Sequence, residues 1–222
     1  MPANLVPEPE PPDRRRRPAG RVRAYVGLGA NLGEAATTLA HAVAALNVLP
    51  GARVTEVSAL YATRPVGVED QPEFRNAVVA IDVPGGADPA AAAIALLVAL
   101  KRLERAFGRR PHERWAAREL DLDLLLFGPH RLVVERPPDG LSVDAAADLG
   151  RRPDRRILVV PHPEAADRLF VLAPLADLAP ALTPPGWSET VGQARDRRER
   201  AEGADAVRRV ATWDPVSSSW QP

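Results

Sequence analysis

Leu120-Asp121-Leu122-Asp123-Leu124-Leu125-Leu126-Phe127 is the stretch from which the fold of this chain can be read. Residues two apart on an extended strand share a face. Leu120, Leu122 and Leu124 therefore face one way, and Asp121 and Asp123 stand side by side on the other. Upstream, Arg109 to Glu119 is a polar, arginine-rich loop. It follows a long helix predicted over Pro89 to Phe107, with Asp88 as N-cap, Pro89 at its first position and Gly108 at its end. Further back, the unbroken run Ala77-Val78-Val79-Ala80-Ile81 marks a buried strand over Asn76 to Val83. Thr63 to Arg75 is a long irregular segment, and Arg53 to Tyr61 a strand opened by Gly51. Before these lie a helix over Glu34 to Asn47, the turn Gly29 to Gly33, and a first strand over Arg23 to Leu28.

The order β-α-β-β-α-β within residues 22–127 is that of a ferredoxin-like split β-α-β sandwich, an α+β fold. Its antiparallel sheet carries helices packed on one face and leaves the other for loops and ligands. Downstream, Arg131 to Glu135 reads as a short edge strand, residues 136–155 as a loop-like insertion, and Ile157 to Val160 as a short strand entering Pro161-His162-Pro163. Leu169 to Leu182 reads as short helical turns around Pro174 and Pro180. Residues 21–186 are thus the expected domain. Residues 1–20, rich in proline and arginine, cannot bury enough apolar surface to offset chain entropy and are expected to be disordered. Residues 187–222 form a C-terminal extension, partly helical: Ser188 caps a charged helix to about Ala201, and the rest is weakly patterned.

Composition sets outer limits. A chain of 222 residues, 45% hydrophobic, supports one medium domain with appendages. Its 29 basic and 29 acidic residues give zero net charge, so no global field recruits nucleic acid or an anionic membrane. The absence of cysteine excludes a disulfide scaffold, thiolate-bound metal and a cysteine nucleophile. The apolar run Pro89 to Leu100 is too short to span a bilayer, and Ala24 to Leu28 is too short and glycine-broken for the apolar core of an export signal. A soluble, cytoplasmic, monomeric protein is expected. The single lysine, Lys101, lacks the glycine frame of a phosphate-binding loop, which excludes that motif.

Asp121 and Asp123 repel one another unless a cation neutralises them. Hard oxygen ligands suit magnesium, which takes one or two protein carboxylates and fills its shell with water and substrate phosphates; a solvated strand-edge pair is the plain alternative. Arg109, Arg110, Arg114 and Arg118 precede the pair, and guanidinium groups bind phosphate oxygens bidentately; the alternative is a solvated loop. Trp115 offers a flat surface for a heteroaromatic ring, or is a core residue. In Gln71-Pro72-Glu73-Phe74-Arg75-Asn76, an amide beside an aromatic can read the edge of a planar heterocycle, or Asn76 is turn chemistry. His162, followed by Arg168 and Phe170, is a ligand contact or a structural hydrogen-bonder. Glu104 sits among charged helix residues, where solvation is the ordinary role.

Together these segments resemble the 6-hydroxymethyl-7,8-dihydropterin pyrophosphokinases of the folate pathway. The carrying residues are Gly27-Leu28-Gly29-Ala30-Asn31-Leu32-Gly33, Tyr61 to Gly67, Asp70 to Ala77, Glu104 to Arg109, Arg114 to Gly128, Val160 to Pro163 and Arg168 to Leu172. The resemblance runs from about Arg23 to Thr183. It implies transfer of pyrophosphate from ATP, as co-substrate, to the pterin hydroxymethyl group with release of AMP. It also implies two magnesium ions on Asp121 and Asp123, and a pterin site lined by Thr63, Pro65, Val66, Phe74 and Asn76, with Trp115 and Phe170 sandwiching the ring. Glu104, Arg118, Leu124, His162 and Arg168 would contact ATP, and Arg109, Arg110 and Arg118 would serve catalysis. Lys101 stands where the resemblance would place a glutamine near the adenine pocket, and Arg155 and Arg156 are candidates for a further basic contact.

Two other functions fit less well. A DxD nucleotidyltransferase usually places a Gly-Ser pair ahead of its carboxylates, and no Gly-Ser occurs in this chain. A ferredoxin-like RNA binder needs two or three aromatics on adjacent strands and a basic sheet face, but these strands carry almost no aromatics and the net charge is zero.

Overall fold

A computed structural model describes residues 20–65, 71–108, 117–141 and 156–222. Strand β1 (Arg21–Ala30) alternates buried and half-buried positions along its whole length, as a strand between two packed layers must. Helix α1 (Ala35–Asn47) follows, then β2 (Arg53–Val57), β3 (Leu60–Thr63), β4 (Phe74–Pro84), α2 (Pro89–Ala106) and β5 (Asp121–Phe127). Antiparallel pairing of β5 with β1, β1 with β4, and β4 with both β2 and β3 gives the expected ferredoxin-like sheet. The α2 cap is as predicted: Asp88 Oδ1 accepts from Ala90 N at 2.8 Å, ahead of Pro89.

Helices α1 and α2 pack on one face, where Leu28, Leu39, Val79, Ile81, Leu100, Leu122 and Leu124 share the main core. The opposite face is only partly open. Helices α3 (Leu169–Leu178) and α4 (Val191–Glu202) cover one end of it, burying Leu172, Leu175 and Val191 against Val78, Leu125 and Leu126. The turns expected around Pro174 are one continuous helix that holds this proline inside it. The capping residue of α4 is Thr190, two residues beyond Ser188, in a reciprocal box with Gln193.

Two further differences follow from pairing that hydropathy alone does not reveal. Strand β6 (Leu132–Glu135) does not edge the main sheet; it forms a separate two-stranded sheet with β7 (Ile157–Val160). Beyond Ala201, β8 (Val207–Asp214) and β9 (Ser219–Gln221) extend the main sheet past β3. Between β2 and β3 the strand is interrupted at Ser58-Ala59, and buried backbone groups there need other partners. Trp220 Nε1 of β9 donates to Ser58 O at 2.9 Å, and Asp177 of α3 accepts from Ala59 N at 3.0 Å. The C-terminal hairpin is thus fastened into the core. No described helix is long and apolar enough to cross a membrane.

The free edge of β5 is closed from α2. Leu122 lies opposite Leu28 of β1, and its own N–H and C=O point away from that strand. Glu104 Oε1 accepts from Leu122 N at 2.8 Å, and Lys101 Nζ donates to Leu122 O at 2.7 Å. Lys101 and Glu104 are 3% and 1% exposed and pair with each other at 2.7 Å. The hydrogen bonds to the Leu122 main chain help to offset the cost of burying this ion pair.

Lys101→Met should destabilise the protein by about 3 kcal/mol, because it removes the ammonium that the buried Glu104 carboxylate and the Leu122 carbonyl share. Lys101→Met with Glu104→Leu should cost less than the two single losses added together; urea unfolding measures both. Trp220→Ala should cost about 3 kcal/mol or more in the same assay, as loss of a large buried side chain.

Candidate active site

Register places the acidic pair. Asp121 lies opposite Gly29 and Asp123 opposite Gly27 on β1, and Gly29 lies opposite Asn76 on β4, which faces Tyr61 on β3. Side chains directly opposite one another share a face of a sheet, so Asp121, Asp123 and Asn76 all project from the face opposite α1 and α2. Leu122 and Leu124 point into the core. The side chain of Leu124 is therefore packing, and contact with a ligand would fall to its main chain.

Gly29 is the floor between the carboxylates and the amide. A methyl group built there would sit 3.5 Å from Asn76 Oδ1 and 4.0 Å from the Asp121 Cβ, ordinary contact distances. Anything larger would fill the gap. Two strand spacings, about 10 Å, separate the Asp121 and Asn76 backbones, a span suited to a flat bicyclic ring joined to a phosphate chain.

The amide wall of this gap is preassembled. Asn76 Nδ2 donates to Thr63 Oγ1 at 2.9 Å in a buried pair, and Phe74, half-buried, faces Thr63 across the β3–β4 ladder. Pro65 follows on the loop leaving β3. A residue to which sequence reading assigned no role ties this wall to the acidic strand. Asn31, 2% exposed, accepts from Arg118 N at 2.7 Å and donates through Nδ2 to Gln71 Oε1 and Pro72 O, both at 3.1 Å. Its own N–H donates to Arg118 O. The only signal for it was its place in the Gly27–Gly33 segment.

Cations surround the acids. The Arg118 guanidinium pairs with Asp121. Lys101 Nζ lies 3.8 Å from Asp123 Oδ1, whose side chain is 39% exposed and thus open to solvent on its other side. Arg136, at the end of β6, carries a further positive charge. Burial pushes its guanidinium below the ordinary arginine value, while the charges of Asp123 and Glu104 oppose that shift. Its side chain donates to Ile157 O, and its N–H to Arg156 O. Arg136, which sequence reading placed within the insertion, is thus bound to the main chain at the start of β7. Arg156 is exposed, and Arg155 lies outside the described residues.

His162 closes the outer end of β5. Its N–H donates to Leu125 O at 2.8 Å. Burial pushes the imidazole below its ordinary value, opposed by Asp123 and reinforced by Arg168, so the ring is neutral at pH 7. Nδ1 accepts from Glu164 N at 3.3 Å, which leaves the proton on Nε2. Arg168 pairs with Glu164 and lies 5.6 Å from the centroid of the Phe170 ring. Glu104, expected at the nucleotide, has its Oε1 engaged by Lys101 and Leu122. Among the described residues no three histidine, aspartate or glutamate side chains converge. Two carboxylates without a third protein ligand fit an ion that completes its shell from substrate and water. Arg109, Arg110, Trp115 and Val66, also expected at the site, lie outside the described residues.

Comparison with known proteins gives the family. The family described as 7,8-dihydro-6-hydroxymethylpterin-pyrophosphokinase matches residues 25–180. A Bacillus subtilis protein named 2-amino-4-hydroxy-6-hydroxymethyldihydropteridine pyrophosphokinase is 37% identical over 155 residues, 70% of this chain and 77% of that one. A Pseudomonas aeruginosa protein of the same name is 41% identical over 163 residues, covering 73% and 84% of the two chains. The crystal structure of Plasmodium falciparum HPPK-DHPS wild type with pteroate superposes with a TM-score of 0.64 at 14% identity. It covers 90% of this chain and 47% of the other, so this chain spans about half the length of that solved chain, and the likeness is one of fold. With the family matched across most of its length, and with relatives of one name on either side of 40% identity, the chain belongs to the 7,8-dihydro-6-hydroxymethylpterin-pyrophosphokinase family.

Proposed function

We propose that Asp121 and Asp123 hold two magnesium ions against the phosphates of ATP, and that the pterin lies in the gap bounded by Thr63, Pro65, Phe74 and Asn76. The enzyme transfers pyrophosphate from ATP to the hydroxymethyl group of 6-hydroxymethyl-7,8-dihydropterin in folate biosynthesis, releasing AMP. The observation that carries the site assignment is the row Asp121–Gly29–Asn76, which sets paired carboxylates and a ring-reading amide on one face with an open floor between them.

In the reaction the hydroxymethyl oxygen attacks the β-phosphorus and gives up its proton to water, the bond from that phosphorus to the α,β-bridging oxygen breaks, and AMP leaves. Positioning and charge neutralisation supply most of the catalysis in such a transfer. Asp121 and Asp123 would hold magnesium, which would supply charge neutralisation to the triphosphate. Arg118, pinned between Asn31 and Asp121, presents its guanidinium to the same phosphates. Neutral His162, with its proton on Nε2, donates a hydrogen bond without adding charge, and Arg168 stands behind it. Phe170 stacks on one face of the pterin ring, and the Asn76 amide reads the ring edge. The family resemblance would add Arg109 and Arg110 to catalysis, and Trp115 and Val66 to pterin binding.

Asp123→Ala should cut AMP formation at least about a hundredfold, the scale of several kcal/mol of lost charge stabilisation. Its melting temperature should hold, since removal of one of two like charges relieves repulsion. Undiminished, magnesium-dependent AMP release, followed by nucleotide analysis, would remove the acids from the site. Gly29→Val should lower kcat/KM about tenfold or more, which is about 1.4 kcal/mol, by filling the floor of the gap. Gly29→Ala should fold as stably as the parent, because its methyl meets only ordinary contacts.

A further inference from the structure

Strand β8 lies beyond residues 25–180, the part of the chain that the family accounts for, yet it borders the wall assigned to the pterin. Val207 lies opposite Thr63, Arg208 opposite Ala62, and Arg209 opposite Tyr61. Across β3 the same rows continue to Phe74, Arg75 and Asn76. From β8, Arg208 Nη2 reaches both oxygens of Glu73, at 2.7 and 2.9 Å. Arg75 adds a contact to the same carboxylate at 3.3 Å. The Arg208 guanidinium holds the Glu73 carboxyl below the ordinary glutamate value. Glu73 directly precedes Phe74, and its other neighbour, Pro72, is held through its carbonyl by Asn31.

The return of the chain into β4 is therefore gripped from two sides. Asn31 ties it to β1 and the acidic strand, and Arg208 ties it to a strand contributed by the C-terminal extension. Without β8, β3 would be the bare edge of the sheet here, with Thr63 on it and unpaired backbone beside it. We propose that Arg208 is a positioning residue for pterin binding. Acting through Glu73, it sets Phe74 and the end of the Thr63–Asn76 wall, so that the C-terminal strand forms part of the specificity apparatus of the enzyme. This rests on the assignment of that wall to the pterin.

The pair is half-exposed, and such pairs contribute modestly. Arg208→Gln and Glu73→Gln should each raise the KM for 6-hydroxymethyl-7,8-dihydropterin about two- to fivefold. The KM for ATP, kcat and the melting temperature should hold, and the double variant should be no worse than either single one. The ratio of variant to parent pterin KM should shrink at about 0.5 M salt, where an exposed pair is screened. Asn76→Ala, run in parallel, tests the wall itself. An unchanged pterin KM in the Arg208 and Glu73 variants, beside a raised one in Asn76→Ala, overturns the proposal and leaves the wall assignment standing. No change in any of the three overturns both. A rise in both KM values together with a lower melting temperature also overturns it, since that is the mark of a merely structural bond.

Discussion

The structure turns on how an edge strand is kept in place. Among the described strands β5 pairs with β1 alone, and its backbone groups at Leu122 would otherwise be buried without partners. Helix α2 supplies them in one charged pair: the Glu104 carboxylate takes the N–H, and the Lys101 ammonium takes the C=O. Because Leu122 is locked from the side and its side chain is sunk in the core, the residues flanking it have one direction left. Asp121 and Asp123 are therefore held outward together. The same ammonium lies 3.8 Å from Asp123, so the bond that secures the strand also places a fixed positive charge beside one of the acids.

That dual use explains why this position suits lysine. It is the only lysine among 29 basic residues. A compact ammonium can donate to a carboxylate and a carbonyl that converge on one point, whereas a planar guanidinium needs acceptors spread along its fork. Here the acceptors converge, within 2.7 Å of a single nitrogen.

A second organising element is Asn31, where the loop before β5 meets the loop before β4. Its side chain accepts from the Arg118 main chain and donates to Gln71 and Pro72. The segment before the paired carboxylates and the segment before Phe74 are thereby held to one another through a buried amide. Glycine does complementary work: with no side chain at 29, β1 passes between the two halves of the site without blocking the passage. On the far side, α3 and the C-terminal hairpin fill the break between β2 and β3, through Asp177 and Trp220.

Much of this was legible in the chain itself. Period-2 alternation in Leu120 to Leu124 settles that the two aspartates share a face, and the Asp88-Pro89 start of α2 is a local matter of capping and a fixed φ. The apolar run at Ala77 to Ile81 needs both faces buried, which only a central strand provides. Those features depend on neighbours in sequence, and local sterics decide them. The partner of β6, the strands after Ala201, and the bridge from Arg208 to Glu73 across 135 residues depend on neighbours in space. No periodicity encodes them, because strand pairing and ion pairing are chosen among edges and charges that become adjacent only once the core has closed. Lys101 shows the division within one residue: its solitude is plain in the sequence, but its role exists only where a helix meets the open side of a strand.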